Sequence, residues 1–234
     1  MPRRIRTDVP GPDWRVSLEA LRAPGPDALF PPRLPRPVSL VVDVGCGRGE
    51  LLLDLARSDP ERAYLGIEHS WKRVLKLTRR LAKTEIDNVR LLAAGAEQAV
   101  AELAPESVAG FWVNFPDPWP KKRHHRRRLL QAELVRALAL RLVPGGFLEV
   151  ATDHEEYALA IHEALAAEPL LENRCAPEPF RRTPPARAST AYELEWRAQG
   201  RPAHYFSYAK VRGASASECS PEGLRSPAAR CALR

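Results

Sequence analysis

Between residues 38 and 168, short apolar runs alternate five times with stretches of helical spacing, and this alternation constrains the fold more than any other feature. The runs are VSLVVDVG (38–45), AYLGIEH (63–69), NVRLLAA (88–94), SVAGFWVNF (107–115) and GGFLEVAT (145–152). The first is apolar almost throughout, as a strand buried on both faces must be. Helical spacing follows each run: ELLLDLARS, WKRVLKLTRRLAK, EQAVAEL, RRLLQAELVRALALRL (127–142) and HEEYALAIHEALAAE. The fourth helix is expected to stop at Pro144-Gly145-Gly146. PAHYFSYAKV (202–211) alternates and reads as a last strand. Strand–helix alternation of this kind predicts a doubly wound α/β sheet. Right-handed crossovers line up the carboxyl ends of its strands, and ligands bind at that edge where strand order reverses. The first strand end, at Gly45, and the fourth, at Asn114, are expected to flank that point.

The flanks read differently. Residues 1–37 are rich in Pro and Arg without a sustained period, and predict a loose arm or irregular cover. Residues 213–234 are small, polar and Pro-containing, and predict a disordered tail. The domain proper is expected over 38–212. No N-terminal apolar segment resembles a signal peptide, and no run is long enough to span a bilayer. The four cysteines are widely spaced without a CxxC pair, which suggests neither a disulfide framework nor a zinc site. A cytoplasmic protein is expected.

Three motifs carry chemistry. DVGCGRGE (Asp43–Glu50) joins the first strand to the first helix, with Gly45, Gly47 and Gly49 letting the backbone approach a ligand. A dinucleotide fingerprint would place Gly where Glu50 stands, and that glutamate would repel a pyrophosphate. Asp43 suits a ligand that is cationic or bears hydroxyls. The D-x-G-x-G-x-G form resembles the S-adenosylmethionine loop of Rossmann-like methyltransferases. Glu68 ends the second strand, at the distance from the loop where an acid accepts ribose hydroxyls. NFPDPWPKKRHHRRRLL (114–130) is the third motif. Pro116, Pro118 and Pro120 each fix φ and hold Asp117 in a rigid loop. Trp119 offers a stacking surface or a lid. Six Lys or Arg and two His then fill residues 121–128. Together with a net charge of +7, they point to phosphates of a nucleic acid. A solvated helix face is the plainer reading of the charges alone. Cys46 reads as a packed side chain, because no adjacent base would make it a nucleophile.

DVGCGRGELLLDLA, YLGIE, NFPDPWPKKRHHRRRLL, ATDHEEYA and TAYE together resemble the bacterial tRNA (guanine-N7)-methyltransferase family over about residues 40–210. The resemblance implies a Rossmann-like class I methyltransferase fold: a doubly wound, mostly parallel sheet with an antiparallel last strand. It implies a cytoplasmic enzyme that transfers a methyl group from S-adenosylmethionine to N7 of a guanine in the tRNA variable loop. Carried over by position, Asp43, Gly45, Gly47, Glu68, Asn114 and Asp117 contact the cofactor. Asp117 also serves as the catalytic residue. Lys121, Arg123, Asp153, Thr190 and Glu193 fall on the substrate side. Asp153 alone would read as the N-cap of the helix after it, and Thr190-x-x-Glu193 as a capping box. The chain departs from the family at Gly95, where an acid often contacts adenine, at His69, and in its tail. NFPDPW also loosely resembles the N/D-P-P-aromatic motif of amino-directed methyltransferases. Methylation of another RNA base or amino group, and non-catalytic RNA binding, are the alternatives. Monomer and homodimer are both open.

Overall fold

The computed structural model describes residues 13–23, 25–187 and 189–212. The expected tail at 213–234 and the first part of the expected arm lie outside them. Eight strands form one sheet: β1 (Arg15–Val16), β2 (Leu40–Val44), β3 (Ala63–Ile67), β4 (Val89–Leu92), β5 (Val108–Asn114), β6 (Leu142–Thr152), β7 (Leu171–Asn173) and β8 (His204–Lys210). Their order is β1-β4-β3-β2-β5-β6-β8-β7. Neighbours from β1 to β6 run parallel, and β8 pairs antiparallel with both β6 and β7. The doubly wound sheet with an antiparallel last strand is as expected.

The helices are α1 (Leu18–Arg22), α2 (Pro26–Leu29), α3 (Glu50–Ser58), α4 (Trp71–Leu81), α5 (Ala96–Glu102), α6 (Ala132–Arg141), α7 (Glu155–Ala166) and α8 (Ala191–Ala198). Strand side chains alternate between two cores, as a pleat requires. Leu40, Val42 and Val44 of β2 join the core under α5, α6 and α7, with Val100, Leu138 and Ile161. Val41 joins the opposite core under α3 and α4, with Leu52 and Leu77. Each such side chain contributes about 1.5–3 kcal/mol by leaving water. Because β2 lies between β3 and β5, the chain leaves it in one direction and returns on the other side. The crevice therefore opens between the ends of β2 and β5, as expected.

One expectation is resolved and two need correction. Of the loose arm and irregular cover expected before residue 38, the described residues form a cover, and one with its own order. Its described part adds β1 beside β4 and buries Trp14, Leu21, Phe30 and Leu34. The fourth helix begins at Ala132, not at residue 127. Lys122–Arg127 instead form a 3₁₀ turn, and Arg128 is extended at φ −61° and ψ 134°. The cations therefore do not crowd the first turn of α6. Finally, β6 takes up the chain at Leu142 and runs through Pro144-Gly145-Gly146, with its register against β5 shifting between Val108 and Gly110. No helix among the described residues is long and apolar enough to cross a membrane.

Candidate active site

The glycine loop is built from the two strands beside it. The N–H groups of Gly45 and Cys46 both donate to the carbonyl of Ile67 at the end of β3, at 2.8 and 3.0 Å. Glu68, the next residue, is buried and holds the loop from below. Its carboxylate accepts from the Gly47 N–H at 3.1 Å and from the Ser70 N–H at 2.8 Å, so one side chain fixes both the loop and the start of α4. His69 Nδ1 at 3.1 Å and Arg73 at 3.6 Å also face this carboxylate, and both are exposed side chains that a ligand hydroxyl can displace. Gly49 is required on two counts. Its φ is +70°, and a Cβ there would lie 2.5 Å from Leu77 Cδ2.

Asp43 lies beneath this loop at the end of β2. Burial pushes its carboxyl up to about 7, Arg187 pulls it partly back, and Glu68 adds to the rise. Burial also raises the Cys46 thiol well above its ordinary range, with Asp43 and Glu68 contributing. That thiol is a buried, packed side chain, and its environment disfavours the thiolate.

The NFPDPW segment leaves β5 under strain. Phe115 and Trp119 have φ of +50° and +43°, which cost non-glycine residues on the order of 1–3 kcal/mol each. Its supports lie below. Arg128, counted among the phosphate-facing cations in sequence, is instead buried. It donates from Nε to the Pro118 carbonyl at 2.8 Å and stacks over Tyr157. The Tyr157 hydroxyl accepts from the Leu130 N–H at 3.0 Å. Arg127 lies over the Trp119 ring, and His124 meets the edge of that ring. Trp119 is thus packed within its own basic turn as well as against the cleft.

Two cavities of about 360 and 340 Å³ meet at Gly45, Arg73, Asn114 and Phe115. Asp43, Gly47, Thr190 and Tyr192 line the first. Glu68, Gly95, Glu97, Asp117 and Trp119 line the second. Asp43, Gly45, Gly47, Glu68, Asn114 and Asp117 therefore converge on one cleft. Lys121 and Arg123 are exposed on the basic turn and line neither cavity. Asp153 does not cap α7, because His154 accepts from the Tyr157 N–H in that role. Asp153 accepts instead from the Tyr192 hydroxyl, which ties α8 to the end of β6. The Tyr192 ring packs between Phe115 and Trp196.

Thr190 does cap α8, accepting from the Glu193 N–H at 3.2 Å. The Glu193 side chain does something else. It is fully buried and lines neither cavity, so the expected direct contact with substrate gives way to an internal role here. One oxygen accepts from Arg187 at 2.7 Å and the other from the Tyr205 hydroxyl at 2.7 Å. Arg187 also donates to Asn114 Oδ1 at 3.2 Å and lies over Trp112. Sequence reading missed Arg187 entirely. The only trace of it is a single Arg in PPARAST, a stretch without period. Asn114 Nδ2 is buried and finds no partner among the described residues. As Asn114 lines both cavities, its amide offers a ligand an unused NH2 group.

A family model described as "Putative methyltransferase" matches residues 37–206. A tRNA (guanine-N(7)-)-methyltransferase of Halorhodospira halophila is 39% identical over 183 residues, which cover 78% of each chain. One of Alkalilimnicola ehrlichii is 46% identical over 155 residues, covering 66% of this chain and 64% of that protein. The chain belongs to the tRNA (guanine-N(7)-)-methyltransferase family. The aligned part spans just under two thirds of the Alkalilimnicola member. Among solved structures, a mutant of the 16S rRNA (adenine(1408)-N(1))-methyltransferase of Catenulisporales acidiphilia, solved with cosubstrate SAM, superposes with a TM-score of 0.54 at 20% identity. It covers 76% of this chain and 88% of that one, and shows that the fold is the Rossmann-like one of such enzymes. The residues expected from the resemblance meet at the cleft, apart from Lys121, Arg123, Asp153 and Glu193.

Proposed function

We propose that this protein is a cytoplasmic enzyme that methylates N7 of a guanine in the tRNA variable loop, with S-adenosylmethionine as methyl donor. The observation that carries this reading is the wall of the second cavity, on which Gly45, Glu68, Asn114 and Asp117 meet beside Arg127 of the basic turn. The cleft suits the donor chemically. Asp43 is a desolvated carboxyl that gains from a cationic neighbour. Glu68 suits ribose hydroxyls, the Asn114 amide a carboxylate or carbonyl, and the backbone of Gly95 with Glu97 the adenine edge. The cofactor supplies an electrophilic methyl group.

Guanine N7 carries an in-plane lone pair and no proton, so the acceptor needs no general base. The protein's task is alignment at about 3–3.5 Å and stabilisation of the positive charge that the base acquires. Asp117 stands on the cleft wall in a loop fixed by three prolines and by the Arg128 hydrogen bond to Pro118. Its carboxylate accepts from the N1–H and amino edge of guanine, which adenine lacks, and opposes the developing charge. Lys121 and Arg123, exposed beside it, hold backbone phosphates while the base leaves its stack, at a cost of a few kcal/mol. Thr190 and Asp153 guide the guanosine from the α8 side. Incubation with unmodified tRNA and methyl-labelled cofactor tests the reading. Label in 7-methylguanosine of the variable loop supports it, and label in another nucleoside overturns it.

A further inference from the structure

A third cavity opens on α8 beside the start of α7, lined by Arg182, Arg197, Arg201, Pro202, Tyr205 and Glu155 among others. Its three guanidinium groups share an unusual property. Among the described residues, none of them makes an ion pair. Two of them are held by neutral groups instead. Arg201 lies over the Trp196 ring at 4.4 Å, and Arg182 over Phe180 at 5.3 Å. Arg182 also meets His204 Nε2 at 2.8 Å. The other ring nitrogen of His204 faces the Thr152 carbonyl at 3.2 Å, which can only accept. That nitrogen therefore carries the proton, Nε2 accepts from Arg182, and the ring is neutral. Burial acts in the same direction and lowers the His204 pKa.

Aromatic faces and a neutral imidazole orient a guanidinium without cancelling its charge. Arg187, five residues from Arg182, shows the contrast, since a buried carboxylate neutralises it. Glu155 is a carboxylate on the third cavity's wall, and three cations outweigh it. The basic turn reaches the same end of α7. Glu156, next to Glu155, faces His125 at 3.5 Å and Arg128 at 3.4 Å. Tyr192 of the same α8 lines the cofactor cleft.

We propose that Arg182, Arg197 and Arg201 form a second phosphate-binding site, which holds the RNA substrate's backbone on the α8 side of the cleft. Its ligand is a phosphodiester, and the proposal rests on the RNA-methylating function above. Two anchorage points, the turn at 121–128 and this one, would fix the strand on both sides of the target base.

The test is the double substitution Arg197→Gln/Arg201→Gln, both exposed, beside Arg197→Lys/Arg201→Lys. Binding of unmodified tRNA is measured across a salt series, with cofactor affinity by calorimetry. The Gln pair should reduce the slope of log K against log salt by about 2, raise the KM for tRNA about tenfold at low salt, and leave cofactor affinity unchanged. The Lys pair should keep the slope. A Gln pair with the parent's slope and KM overturns the proposal. Inorganic phosphate is titrated into the same variants by calorimetry, and loss of its binding with tRNA binding intact also overturns the proposal, since this would then be a free-anion site. Failure of the parent itself to bind or methylate tRNA would instead remove the functional reading beneath.

Discussion

Arg187→Met should be the most damaging single change outside the cleft wall. The Arg187–Glu193 pair is 2.7 Å long, with side chains 1% and 0% exposed. Methionine keeps the aliphatic bulk over Trp112 and removes the charge. Glu193 would then be a buried carboxylate supported on its oxygens, among the described residues, by the Tyr205 hydroxyl alone. Breaking a buried pair from one side costs about 3–5 kcal/mol. Folded domains have about 5–15 kcal/mol in total. A second effect follows from Asp43, whose carboxyl Arg187 draws back toward its usual range. A carboxyl raised in the folded chain binds more protons there than unfolded, so its contribution falls as pH rises from 3.8 to about 7 and is flat beyond. Without Arg187 the upper end of that window moves above 7, and stability should go on falling between pH 7 and 8.5. Urea unfolding at pH 6 and 8.5 measures both effects. Arg187→Met/Glu193→Leu, which removes both charges, should recover most of the stability but not the methyl transfer, because Asn114 loses the donor that orients its amide. A loss below about 1 kcal/mol for the single variant, or a pH dependence equal to the parent's, would refute the reasoning.

Two further outcomes are expected. Cofactor affinity should fall by up to tenfold per pH unit below about 7, as Asp43 takes up a proton and loses its attraction for a cation; Asp43→Asn should bind weakly and without that dependence, by calorimetry in buffers of different ionisation heat. Lys121→Ala/Arg123→Ala should raise the KM for tRNA and flatten its salt slope by about 2 while cofactor affinity holds, and parental slopes would reject phosphate contact there.

The sheet was legible in the sequence because its central strands are buried on both faces. LVVDV and AYLGI admit few other readings once helices of period 3.6 stand between them. The glycine loop and the proline-locked loop were legible because their backbones demand particular residues. What stayed hidden depended on partners far along the chain. RRLLQ continues the spacing of α6, yet the Leu130 N–H is taken by Tyr157, 27 residues away. β1 has two residues, and only its pairing with Leu91 and Leu92 makes it a strand. Arg127 and Arg128 look alike in sequence, but one stacks on Trp119 at the cleft and the other is buried under Pro118. The spacing of Thr190 and Glu193 identified the cap and said nothing of Arg187, which is what the glutamate's side chain holds.

The most direct measurement is the single-turnover rate of guanine N7 methylation by Asp117→Ala, read beside its affinity for the cofactor. With the anion at the cleft wall removed, the rate should drop by about 10²–10³-fold, while cofactor affinity falls less than about tenfold. A variant that methylates tRNA at the parent's rate would contradict the role assigned to Asp117.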